Sequence, residues 1–148
     1  MLFWLIPLLT IAAITIPLAA ADLRERRLPN ALLLVGYVSF ALAAELTSLA
    51  APSTTGASPV LVCCGVLAAA FGVWTMGGVG MGDVKLVGLL AGTLQLVPAS
   101  NSPPPQLVAA IATLLLLVPA AFVALLHGRQ SLALGPFLLA GFWLAVLV

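Results

Sequence analysis

Asp22 and Asp83 are the only two aspartates in a chain of 148 residues, and each stands at the edge of a long apolar run. Two carboxylates that meet can hydrolyse a peptide bond. Like charges held close cannot both ionise readily, so the pair keeps one proton and titrates as a unit. The ionised partner takes a proton from water, and the protonated one donates to the scissile carbonyl. Gly77, Gly78, Gly80 and Gly82 precede Asp83 and leave almost no side-chain bulk. Glycine permits close backbone approach, so a peptide can lie against such a strip. A phosphate loop is a rival use of these glycines, but neither GxxxxGK[ST] nor GxGxxG spacing is present. Helix packing through small residues is the plainer alternative.

The elements that must carry these aspartates follow from composition. The chain is 64% hydrophobic and 6% charged, with a mean hydropathy of +1.29. Soluble domains carry about 25% charged residues. The chain therefore reads as an integral membrane protein with one domain spanning 1–148. The net charge of +1 says nothing about nucleic acid, but no basic tract with interleaved aromatics is present, and no nucleic-acid partner is expected. No positive charge precedes the first apolar run, so that run reads as a retained transmembrane helix rather than a cleaved signal.

Breaks at 51–59, 98–105 and 127–131 divide the rest. A spanning helix needs roughly 20 residues. Six helices are expected near 2–21, 30–50, 59–76, 83–97, 106–126 and 134–148: an all-α, polytopic membrane fold. The fourth covers only about 22 Å at about 1.5 Å per residue, short of a hydrocarbon layer of about 30 Å. The glycine stretch before it is expected to enter the membrane edge. With six helices, Arg24, Arg26, Arg27, Lys85 and Arg129 all fall on one side, and the other two loops hold no basic residue. The positive-inside rule makes that side cytoplasmic and puts both termini outside. Asp22 then ends the first helix and Asp83 begins the fourth, at one depth. Costly carboxylates at a membrane mark function.

Cys63 and Cys64 are adjacent, with no CxxC and one distant His. They read as small apolar helix residues rather than metal ligands.

Asp22-Leu23-Arg24 followed by Leu28-Pro29-Asn30 resembles a D-x-R/K-x-x-x-I/L-P-N segment. Gly80-Met81-Gly82-Asp83-Val84-Lys85-Leu86 resembles G-x-G-D-x-K-L, with Phe71 nine residues ahead as the aromatic that precedes it. Leu134-Gly135-Pro136-Phe137 resembles F-G-P-F, with Leu134 in place of the first Phe. These segments occur in this order in the prepilin peptidases, or type IV leader peptidases, of the GxGD aspartyl protease group. The resemblance covers essentially the whole chain. It implies an enzyme that removes a short basic leader from prepilins or pseudopilins at the cytoplasmic membrane face, cutting after a glycine. Asp22 and Asp83 match the two catalytic aspartates, and no metal or organic cofactor is implied. Longer relatives add a methyltransferase region with a CxxC pair. This chain passes from Arg27 to the second helix without one and resembles the short, peptidase-only type.

The remaining polar residues take mainly structural readings. Arg24, Arg26 and Arg27 read as headgroup anchors, and Arg24, at the family's basic position, is also a candidate to orient the site. These arginines would repel a basic leader, which leaves Glu25 as the candidate leader contact. Asn30 after Pro29 is expected to cap the second helix. Lys85, two positions after Asp83, is expected to face another side and to act as a phosphate anchor or a supporting group. Gly135-Pro136 is expected to start the last helix and to leave a pocket wall. Glu45 is placed near the outer interface, and His127 at the cytoplasmic end of the fifth helix. Two other readings compete with a peptidase. A small transporter would want carboxylates near the midplane. A structural subunit of a pilus or secretion machine would use the aspartates to hold helices together. The sequence does not define the oligomeric state.

Overall fold

A computed structural model describes residues 2–25, 27–50, 58–75, 80–98 and 134–147. Among them are five helices: α1 (Leu5–Glu25), α2 (Asn30–Ala50), α3 (Pro59–Thr75), α4 (Met81–Leu96) and α5 (Gly135–Leu147). The described elements are all helical. The expected helix at 106–126, the glycine stretch at 76–79, Arg26, His127 and Arg129 lie outside the described residues.

α2 runs over the expected 30–50, and α3 and α5 stop within a residue of the expected ends. α1 differs more. It starts later and continues through Asp22 to Glu25. Ala19 to Ala21, Leu23, Arg24 and Glu25 are favourable helix residues, and Arg24 suits the negative end of the helix. Pro29 then disfavours helix in the residue before it. Asp22 therefore projects from the last turn of α1 instead of ending it. α4 also starts early, at Met81, with Gly80 as its N-cap.

α4 is the centre of the molecule. It packs against α2, α3 and α5, while α1 packs against α2 and α5. Nine of its residues are buried, from Val84 to Leu96, on every side of the helix. The buried residues of α1 are Pro7, Ile11, Ile14, Leu18 and Asp22, spaced by four, three, four and four. That is one stripe along a helix, and the carboxylate stands at its end. α2 presents Leu33, Gly36, Phe40 and Ala43 in the same manner. Gly88 of α4 sits against Leu67 of α3, and Gly92 lies under Phe40 and Cys63. These gaps allow α4 to be approached closely from two sides.

Much of the described outer surface is apolar. Leu9, Ile16, Leu34, Val38 and Leu49 are exposed. A helix that is hydrophobic all round belongs in a large core or a bilayer. α1 and α2 are long and apolar enough to cross a membrane, and α3 and α5 are shorter apolar helices. Threonine hydroxyls in these helices are satisfied locally. Thr10, Thr15, Thr47 and Thr93 each donate to the carbonyl four residues back, as apolar surroundings require. Trp143 Nε1 donates to Thr15 Oγ1 at 3.0 Å and ties α5 to α1.

Candidate active site

Four helix ends meet at one end of the bundle. Asp22 comes from the last turn of α1, Asn30 from the first residue of α2, Asp83 from the first turn of α4 and Gly135 from the first residue of α5. Three of these are helix N-termini, whose unpaired N–H groups and positive ends favour carboxylates. Asp22, Arg27, Asn30, Asp83 and Lys85 line a cavity of about 300 Å³ there, with Gly80, Gly82, Leu28 and Met81. The two aspartates are close enough for the charge of one to act on the other.

The two carboxylates are held alike. Asp22 is buried, at 4% exposure, and its Oδ2 accepts the N–H of Gly135 at 2.9 Å. The carboxylate of Asp83 turns back onto the N-cap of its own helix and accepts from the Gly80 backbone. This is how an acidic residue at the third helical position serves a helix start. Oδ1 of Asp83 is the one side-chain oxygen among the described residues that is buried without a hydrogen-bond partner. Each aspartate thus has one oxygen engaged by a helix-start N–H, and Asp83 has a second oxygen uncommitted.

The glycines are needed for space. Gly80 has φ −73° and ψ 146°, which any residue can adopt. A Cβ there would lie 3.0 Å from Oδ2 of Asp83. A Cβ on Gly82 would lie 3.0 Å from Cβ of Leu28, in the segment that follows α1. A Cβ on Gly135 would lie 2.7 Å from Oδ2 of Asp22. Gly80 makes room for the Asp83 carboxylate and Gly135 for that of Asp22. Gly82 lets α4 reach the chain that follows Asp22.

The other site residues form a second layer. Lys85 Nζ donates to Oδ1 of Asn30 at 3.0 Å, and the Lys85 carbonyl accepts from the Tyr37 hydroxyl at 2.7 Å. Asn30 is the first helical residue of α2 rather than its cap. The carbonyl of Pro29 accepts the N–H of Leu32 and of Leu33, so the amide of Asn30 is free for Lys85. Lys85 was expected to face away from Asp83, yet its long side chain lines the same cavity. Arg24 and Glu25 are exposed on α1, whereas Arg27 lines the cavity. Pro136 follows Gly135 in the first turn of α5. Phe71 lies on α3, its ring 5.0 Å from that of Trp74, and Glu45 is exposed on α2.

Sequence reasoning missed Arg27, Leu28 and Tyr37. Arg27 and Leu28 had a signal, since they sit between Asp22 and the helix-breaking Pro29. Tyr37 had none, because its partner is a backbone carbonyl 48 positions away. Cys63 is buried and Cys64 exposed, and among the described residues no group of three or more His, Cys, Asp or Glu gathers.

The model of the type IV leader peptidase family matches residues 8–147. No curated protein and no solved structure matches the chain.

Proposed function

This chain belongs to the type IV leader peptidase family, and on that premise we propose that it is an aspartic endopeptidase whose catalytic pair is Asp22 and Asp83. The observation that carries the proposal is the shared cavity. The only two aspartates of the chain, 61 positions apart in sequence, line it together.

The chemistry follows from a pair that shares one proton. A water held by the two carboxylates gives a proton to the ionised one and attacks the carbonyl carbon of the scissile bond. The protonated carboxyl gives its proton to the carbonyl oxygen. The carbon–nitrogen bond then breaks as the first carboxyl returns its proton to the departing amine. One diol hydroxyl gives its proton back to the second carboxylate, and the pair again holds one proton. Lys85, held by Asn30, and Arg27 present N–H donors to the carbonyls of the bound peptide. Gly80, Gly82, Pro29, Gly135 and Pro136 shape the walls, and Arg24 anchors the end of α1 at the lipid headgroups.

The substrates we infer are prepilin or pseudopilin precursors, cut after a glycine at the end of a basic leader. The proposed setting is the inner, cytoplasmic membrane. Six spanning helices form one GxGD-type domain over 1–148, with both termini outside and the cavity open to the cytoplasm. The distribution of basic residues supports that orientation.

The test is a cleavage assay. The chain is co-expressed with a candidate precursor, and the product is followed by gel shift and N-terminal sequencing. Cleavage after glycine is expected for the parent. Asp22→Asn and Asp83→Asn should each abolish it at equal membrane levels. Cleavage that survives in either variant removes that aspartate from the mechanism.

A further inference from the structure

We propose that Gly135 is a positioning residue of the peptidase: its N–H fixes Oδ2 of Asp22, so that the start of α5 belongs to the catalytic apparatus. The proposal rests on the reading of Asp22 and Asp83 as the catalytic pair.

The hydrogen bond spans 113 positions in sequence and is 2.9 Å long. It is the contact by which a helix remote from both aspartates reaches the reacting groups. Gly135 is buried, and a Cβ would stand 2.7 Å from the oxygen it holds. No larger residue fits unless Asp22 moves. The N–H used here has no acceptor within α5, because the first turn of a helix leaves its N–H groups free. Pro136 has no N–H of its own and a fixed φ suited to that turn. α5 has no charged side chain, so it acts on Asp22 through its backbone alone.

The consequence for chemistry is geometric. Asp22 lies in the last turn of α1, and its carboxylate has a choice of rotamers. With Oδ2 committed to Gly135, the oxygen left to act on water is Oδ1. The charged groups around it are Asp83 and Lys85 from α4 and Arg27 from the segment after α1. Among the described residues, the hydrogen bond to the Asp22 carboxylate comes from the Gly135 N–H. Positioning of this kind affects turnover more than binding. A misplacement of about 1 Å can cost on the order of a hundredfold in rate.

The experiment has two parts. The first uses the parent chain in micelles. Leu134–Gly135 is the only Leu–Gly pair in the sequence, so labelling leucine carbonyl carbon and glycine nitrogen isolates one amide resonance. That amide proton should move clearly in Asp22→Asn and far less in Asp83→Asn. An amide that ignores Asp22→Asn overturns the proposal, and no Gly135 variant needs to fold for this comparison. The second part is kinetic. Gly135→Ala should lower kcat on the order of a hundredfold with KM within about twofold. Gly65→Ala, where a Cβ meets no described residue within 4 Å, should keep the parent rate. A Gly135→Ala loss that only tracks the folded fraction overturns the proposal. Parent kcat in Gly135→Ala beside an inactive Asp22→Asn overturns this proposal alone. Cleavage by Asp22→Asn overturns the catalytic pair as well.

Discussion

Asp83 uses the start of its own helix and Asp22 uses the start of a distant one, which makes the glycines at both places sensitive. Gly80→Ala would put a methyl group 3.0 Å from Oδ2 of Asp83 and turn the carboxylate away from the N-cap. Cleavage should fall by at least an order of magnitude while the chain still inserts, as steady-state assays at matched membrane levels would show. The proposed mechanism needs one carboxyl as acid and one as base, so the rate should be bell-shaped in pH. At low pH both carboxyls are protonated and no base remains. At high pH both are ionised and no acid remains. A pH–kcat profile with only one limb would contradict a two-carboxylate mechanism. At this scale the sequence pointed to the two carboxylates of the proposed pair, because two aspartates in so apolar a chain are conspicuous. It did not show that Gly135 touches Asp22, since a backbone N–H leaves no mark in a sequence.

At the scale of elements, α4 meets α3 by close approach, and it is tied to α2 by the bonds of Lys85 to Tyr37 and Asn30. Gly88 lies directly on Leu67. Gly88→Ala would force α3 away from α4, and overpacking of this kind costs about 1–3 kcal/mol. Gly65→Ala on α3, where a Cβ meets no described residue within 4 Å, should change stability little. Unfolding midpoints of the two variants in one detergent give the comparison. α1 and α5 are joined differently, by Trp143 Nε1 and Thr15 Oγ1 at 3.0 Å. A double-mutant cycle with Trp143→Phe and Thr15→Val should give a coupling of about 0.6 kcal/mol, the typical value between membrane helices. Additivity would show that the bond is not formed. Helix bodies were legible here because apolar runs and proline or glycine breaks are local features. The end of α1 was misplaced because Asp22, Arg24 and Glu25 look like a loop by polarity, yet Arg24 and Glu25 are good helix formers and Arg24 suits the negative end of the helix.

At the scale of the whole molecule, the pocket lies at one end of a bundle whose described sides are largely apolar. In the proposed topology that end faces the cytoplasm. A cysteine-free background allows a direct check with single-cysteine variants. Leu2→Cys should react with an impermeant maleimide added outside intact cells. Arg24→Cys should react only after the membrane is opened. The opposite pattern would invert the bundle and place the cavity away from the compartment where precursors are made. The exposed Leu9, Ile16, Leu34 and Val38 should meanwhile demand detergent or lipid for solubility, as a contiguous apolar surface does.

The sequence by itself determined the helical class and the two carboxylates of the candidate site. Hydropathy, helix breaks and rare charged residues are properties of short segments, and they survive without a fold. Only the tertiary structure decided how the ends of α1, α2, α4 and α5 meet. It decided that Asp22 shares a cavity with Asp83 and an N–H with Gly135, that Lys85 reaches Asn30, and that the glycines are needed for room rather than for backbone shape. Those relations depend on the depth and rotation of each helix. Both are set by packing between segments far apart in the chain, where a gap at Gly82 or Gly88 counts only because Leu28 or Leu67 fills it.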